Sequence, residues 1–152
     1  MLGRRVFTRI QFVLENDPAV APPKKVKGKD VDSYQDYVSG GWDMSKLKLK
    51  GTPTIWTLRP LSYPERMHRD SITELRERVQ WLLRCGIVDV KDYPLFKADG
   101  SYDVLPSPSF VTEGKSDLVA MEWLERANLL DDQELVLAQA VQSITEAEEG
   151  KS

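Results

Sequence analysis

What most constrains this chain is the stretch from Trp42 to Gly86, where two short alternating runs lead through a proline corner into a long amphipathic run. Residues 46–50 place Leu47 and Leu49 on one side and Lys46, Lys48 and Lys50 on the other. Period-two alternation marks a half-buried strand, and lysines on its open face discourage stray edge pairing. Gly51-Thr52-Pro53 supplies a turn and residues 54–58 return, so the two runs predict a β-hairpin over 46–58. Arg59-Pro60 ends the second run, because proline has no N–H for a ladder. Ser62 and Glu65 then fit a capping box, with Pro64 in the first turn, where a missing N–H costs nothing. Ile72, Leu75, Val79 and Leu82 recur at helical spacing and predict a long helix over 62–85. Ser71 and Glu74 repeat the capping signature, which leaves a start or a break at Ser71 open. Gly86 is placed to end the helix in the left-handed conformation.

The rest of the chain arranges itself around this unit. Residues 6–14 alternate, with Val6, Thr8, Ile10, Phe12 and Leu14 on one face, and predict a strand that Asn16-Asp17-Pro18 stops. Residues 19–32 are rich in Pro, Lys and Gly and read as a linker or exposed arm. In residues 87–110, Ile87, Val88 and Val90 fit a short strand, Asp99-Gly100 is a turn signal, and Pro106 and Pro108 make the end extended, so the segment as a whole reads as a second arm. Ser116-Asp117 is positioned to cap a helix over 117–128, in which Val119, Trp123 and Ala127 lie four apart. Asp131 and Glu134 open a final helix over 131–147, with Leu135, Ala138 (or Leu137), Val141 and Ile144 as its stripe. The expected fold is α+β: a small antiparallel sheet (strand 6–14, hairpin 46–58) packed on a long helix, plus two C-terminal helices. At 152 residues this forms a single domain, with extended arms at about 19–45 and 87–110.

The charge is unevenly distributed. Residues 1–51 carry ten Lys/Arg against six Asp/Glu, and residues 52–152 carry eleven against eighteen, so net charges of +4 and −7 lie behind the overall −3. Such asymmetry can steer self-association or docking onto a charged partner. The overall acidity argues against broad nucleic-acid backbone binding, which rests on clustered Lys and Arg. With one cysteine, Cys85, no intrachain disulfide can form, which fits a reducing compartment. The apolar run after Arg4-Arg5 is broken by Thr8, Arg9 and Gln11, so neither a secretory signal nor a membrane span is expected.

Catalytic patterns fail on inspection. Gly114-Lys115-Ser116 and Gly150-Lys151-Ser152 resemble the end of a phosphate-binding loop, but the glycine required five residues earlier is Ser109 or Thr145. His68 is the single histidine and lies seventeen positions before Cys85. On one continuous helix that separation is about 25 Å, too far for a dyad. His68 is expected to be partly buried and hydrogen-bonded. Zinc would need three or four N and S ligands. The expectation is a non-enzyme with no cofactor and no metal. Tyr34, Tyr37 and Trp42 surround Gly40-Gly41 in a predicted loop, either as partner anchors or as lids over a small core. Together with the hairpin lysines Lys46, Lys48 and Lys50 they are the candidate partner-binding residues.

Residues 56–65 read WTLRPLSYPE. They resemble the W-x-[IL]-R-P-L-[ST]-x-x-E corner of small tailed-bacteriophage proteins, including tail assembly chaperones. Trp56, Leu58, Arg59, Pro60, Leu61, Ser62 and Glu65 match. The acidic ending, residues 144–151, is also similar to those of such proteins. The resemblance implies a non-enzymatic bacteriophage protein acting in virion (tail or head–tail) structure or assembly through protein–protein contacts. Its partners would be tape-measure, tube or head subunits within an oligomeric assembly, in the host cytoplasm during assembly or in the virion. The alternative is a small host-targeting binding protein or inhibitor, whose acidic C-terminal half would mimic nucleic acid.

Overall fold

The computed structural model describes residues 9–14 and 52–149, together with the backbone of short strands at 25–26, 29–30, 37–38 and 41–43. In chain order the elements are β1 (Ile10–Leu14), β2 (Lys25–Val26), β3 (Lys29–Asp30), β4 (Tyr37–Val38), β5 (Gly41–Asp43), β6 (Ile55–Leu58), α1 (Tyr63–Ser71), α2 (Leu75–Gly86), β7 (Ile87–Lys91), β8 (Pro94–Phe96), β9 (Tyr102–Val104), β10 (Phe110–Glu113), β11 (Ser116–Val119), α3 (Met121–Ala127) and α4 (Asp131–Glu149). The class is mixed α+β, with helices packed against small antiparallel sheets.

The principal sheet runs β4-β5-β1-β6-β7, every neighbouring pair antiparallel. This corrects the hairpin expected over 46–58. Both edges of β6 are occupied, one by β1 (Phe12 opposite Trp56) and the other by β7 (Trp56 opposite Val90). A strand has two hydrogen-bonding edges, so none remains for residues 46–50, which themselves lie outside the described residues. Phe12, Trp56 and Val90 are adjacent in the register and all enter the core. Alternation along β1 and β6 made each strand visible, but a pattern of faces says nothing about which strand pairs with which.

The helix expected over 62–85 is two helices. The Ser71 hydroxyl donates to the His68 carbonyl at 2.6 Å, and Ile72 adopts extended backbone. A side chain that takes its neighbour's carbonyl competes with the helical ladder. Arg78 donates to the freed Ile72 carbonyl at 2.7 Å, and α2 restarts after Glu74. The break falls where Ser71 and Glu74 repeat the cap signature, but Ser71 ends α1 and Glu74, with no side-chain cap bond, is the residue before α2. Past it, the expected stripe is only half used: Leu82 is buried and Val79 half-buried, whereas Leu75 is 67% exposed.

Gly86 does not take the left-handed role assigned to it. It is the last helical residue of α2, and the chain passes directly into β7. A Cβ on Gly86 would overlap both methyl groups of Val141 on α4. Close helix approach, not backbone handedness, is what requires glycine here. On α4 itself, Leu137, Ala138, Ala140, Val141 and Ile144 are buried, while Leu135 is 42% exposed.

Two further expectations are corrected. Residues 87–110 are not an arm: β7 is a strand of the principal sheet with Ile87 and Val90 buried, β8 and β9 form a hairpin, and Leu105 is 2% exposed. Leu105 N–H also donates to the Tyr93 carbonyl at 2.9 Å. The helix expected over 117–128 begins instead at Met121. Residues 116–119 pair with 110–113 across a turn at Gly114, where φ is +62°. Thr112 and Asp117 hydrogen-bond across that ladder at 2.8 Å, so Asp117 serves a strand pair and not a cap. Val119, Trp123 and Ala127 are all buried, as their spacing suggests, although Val119 sits on a strand. The helix α3 ends at Asn128, in the left-handed conformation with φ +47°, as asparagine tolerates.

Candidate interaction surfaces

The Trp56–Glu65 corner closes the fold upon itself. Trp56, Leu58 and Leu61 are fully buried. Arg59 backbone N–H donates to the Gly86 carbonyl at 2.8 Å, which ties the end of β6 to the junction of α2 and β7. Its guanidinium is bidentate on Glu65, with Nη1 to Oε1 at 2.8 Å and Nη2 to Oε2 at 2.9 Å, and also reaches the Pro60 carbonyl. Ser62 backbone N–H donates to Glu65 Oε1 at 2.7 Å and completes the capping box. Leu61 N–H donates to Thr145 Oγ1 on α4 at 3.1 Å, and that hydroxyl donates in turn to the Val141 carbonyl. Trp81 Nε1 donates to the Glu65 carbonyl at 3.0 Å.

Glu65 is 2% exposed. Burial alone would raise its pKa, but the Arg59 hydrogen bonds, the Ser62 N–H and the Arg59 charge outweigh it and hold the carboxyl below the usual range. For Arg59, burial opposes the charge, and Glu65 more than offsets it, so its pKa is raised. Cys85, 1% exposed beneath this pair, is pushed upward, first by burial and then by the Glu65 charge. A thiol so held is not a nucleophile, because the reactive species is the thiolate. His68 is exposed, contrary to expectation, with its ring 4.2 Å from that of Trp81. A cleft of about 580 Å³ beside the corner collects Arg9, Arg59 and Lys115 with Glu65 and Asp117. Arg59 is already saturated by Glu65 there.

A second surface is lined in part by Thr54 and Trp56. A groove of about 710 Å³ runs under the 94–104 hairpin, floored by Leu14, Trp56 and Tyr93 and edged by Phe96, Arg126 and Leu130. Trp56 and Tyr93 meet edge to face at 5.5 Å. In the hairpin register Phe96 faces Tyr102 and Pro94 faces Val104. These four side chains therefore share one face of the ribbon, apolar but for the Tyr102 hydroxyl. Phe96 is 72% exposed, Tyr102 59% and Val104 52%, with the two rings 5.6 Å apart. The 110–119 hairpin also exposes Phe110 and Val111. Contiguous exposed apolar surface of this kind marks interaction sites.

Of the partner-binding residues expected from sequence, Tyr34, Lys46, Lys48 and Lys50 lie outside the described residues. Tyr37 and Trp42 are brought together as register partners of β4 and β5, in a hairpin and not an irregular loop. The apolar hairpin face was missed. Its signal was present in the pairing of Phe96 with Tyr102 across Asp99-Gly100, a turn flanked by alternating residues. Among the described residues no group of three or more His, Cys, Asp or Glu could hold a metal ion, and no helix is long and apolar enough to cross a membrane. No protein-family model matches the chain, and no similar curated protein or solved structure was found.

Proposed function

We propose that this chain is a non-enzymatic bacteriophage protein that acts in virion structure or assembly through protein–protein contacts. The observation that carries this reading is the apolar face Pro94, Phe96, Tyr102 and Val104, presented on a two-stranded ribbon over an apolar groove. Aromatic side chains ordered by cross-strand pairing lose little entropy on docking and bury large area, which suits them to be interface anchors. The Trp56–Glu65 corner supplies the viral context by its resemblance to small tail-assembly proteins.

Mass spectrometry of purified particles from an infected host tests the proposal. A stoichiometric band makes the chain a virion component. Absence from particles combined with capture of a tape-measure, tube or head subunit makes it an assembly chaperone. Recovery of host proteins alone sinks both and favours a host-targeting inhibitor. Exposed Glu122, Glu125, Asp131 and Asp132 give that second reading its physical basis.

A further inference from the structure

We infer that two copies of this chain associate about a two-fold axis, Leu130 of each seated in the other's groove and Asp131 and Asp132 of each facing the other's Arg126. The pairing goes beyond the assembly role proposed above and does not depend on a viral context. An isologous contact requires that a surface complement itself, residue i meeting residue j and j meeting i. The groove meets this requirement through the order of its rim. Leu130 lines it and is nevertheless 65% exposed, so the apolar knob stands at the edge of the apolar hole. A two-fold axis beside Leu130 places each knob over the opposite hole.

Charge fits the same operation. Among the described residues Arg126 is the one charged side chain lining the groove, and it has no ion-pair partner there. Asp131 and Asp132 follow Leu130 directly, are exposed, and likewise make no ion pair among the described residues, although Asp132 accepts from Gln133 N–H. Their place in the first turn of α4 suits the helix dipole. The dipole does not account for an exposed leucine before them or for an uncompensated arginine lining the same groove. In the pair, each copy offers an acidic lip to the other's cation. The apolar face of the 94–104 hairpin continues the groove through Pro94 and Phe96 and extends the buried surface.

Sedimentation of the full chain over a range of concentrations tests the inference. The wild type should show a reversible monomer–dimer equilibrium. Arg126→Glu should weaken it by about tenfold or more, as should the double change Asp131→Lys with Asp132→Lys, since each sets like charges at both contacts. Mixing the two variants should restore a heterodimer. The carboxylate introduced at position 126 of one copy then meets the two ammonium groups introduced at positions 131 and 132 of the other. At the second contact the unaltered Arg126 meets the unaltered Asp131 and Asp132. All these positions are exposed, so the variants should retain the wild-type circular dichroism. A wild type that stays monomeric, a dimer indifferent to both variants, or a failure of the mixed pair to form would each overturn the proposal.

Discussion

The Trp56–Glu65 corner and the 94–104 hairpin meet where the Trp56 ring packs on Tyr93 at 5.5 Å, and they use similar residue types to opposite ends. At the corner every distinctive side chain is turned inward: Arg59 and Glu65 satisfy one another, Leu61 and Thr145 join β6 to α4, and Trp56 and Leu58 fill the core. At the hairpin the aromatic residues are turned outward, Phe96 and Tyr102 tilted against each other with their ring centroids 5.6 Å apart and both more than half exposed. The corner is thus a device for closing the fold, and its recognisable sequence reports folding chemistry. The exposed apolar face has no conspicuous motif. A recognisable motif and an exposed apolar face are separate properties, and in this chain they meet only at Trp56, which is fully buried yet lines the groove.

The largest effect is expected from removing one side of the Arg59–Glu65 ion pair. Glu65→Ala leaves the partly buried Arg59 without its counter-charge and should cost about 3 kcal/mol of unfolding free energy, the low end for a buried pair, read by urea titration. A loss below about 1 kcal/mol, the range of a solvent-exposed pair, would show that the corner is not a closing device. Next in size, Gly86→Ala forces a methyl group into Val141 and should cost about 1–3 kcal/mol despite alanine's better helix propensity. Adding Val141→Ala should recover part of that loss, a positive coupling in a double-mutant cycle. Strict additivity of the two changes would place the requirement for glycine elsewhere.

The same pair makes a pH prediction. Glu65 has a lowered pKa in the folded state, so it binds its proton more readily when unfolded. Its contribution is fully present above the unfolded value, about 4.3, and is lost as pH falls through the depressed folded value. Unfolding midpoints measured from about pH 6 to about pH 2 should decline in this window. Glu65→Gln should be less stable near neutrality and show a shallower decline. Parallel profiles for the two proteins would mean that other carboxylates govern acid unfolding.

How far the sequence could be read follows from the same division. Strand β6, the cap at Ser62 and Glu65 and the final helix were legible, because alternation, capping chemistry and helical spacing are local signals. The pairing of β6 with β1 and β7 was not, since nothing local in residues 55–58 distinguishes those partners from residues 46–50. Asp117 looked like a helix cap because a short acidic residue before an apolar run fits one. The competing signal was Gly114, which allows a hairpin turn and turns residues 116–119 into a strand. The hairpin face was obscured by Pro106 and Pro108, which made the end of the region read as extended. Pro94 begins β8, a position where its missing N–H is tolerated.

The smallest effect on stability is expected where the effect on assembly is largest. Phe96 and Tyr102 are more than half exposed, so Phe96→Ser and Tyr102→Ser remove little area from the core and should change unfolding free energy by about 0.5 kcal/mol or less. If the hairpin face anchors a partner, the same changes should each cost more than about 1 kcal/mol of binding, and the pair together more than either alone. Glu65→Gln supplies the converse control: it weakens the fold, but below the unfolding midpoint it should leave partner affinity near the wild-type value. Affinity measured by calorimetry against the captured subunit distinguishes these outcomes. A serine variant that unfolds easily and binds normally would reverse the roles of the two regions, making the hairpin face part of the packing and leaving the corner as the surface to examine for partners.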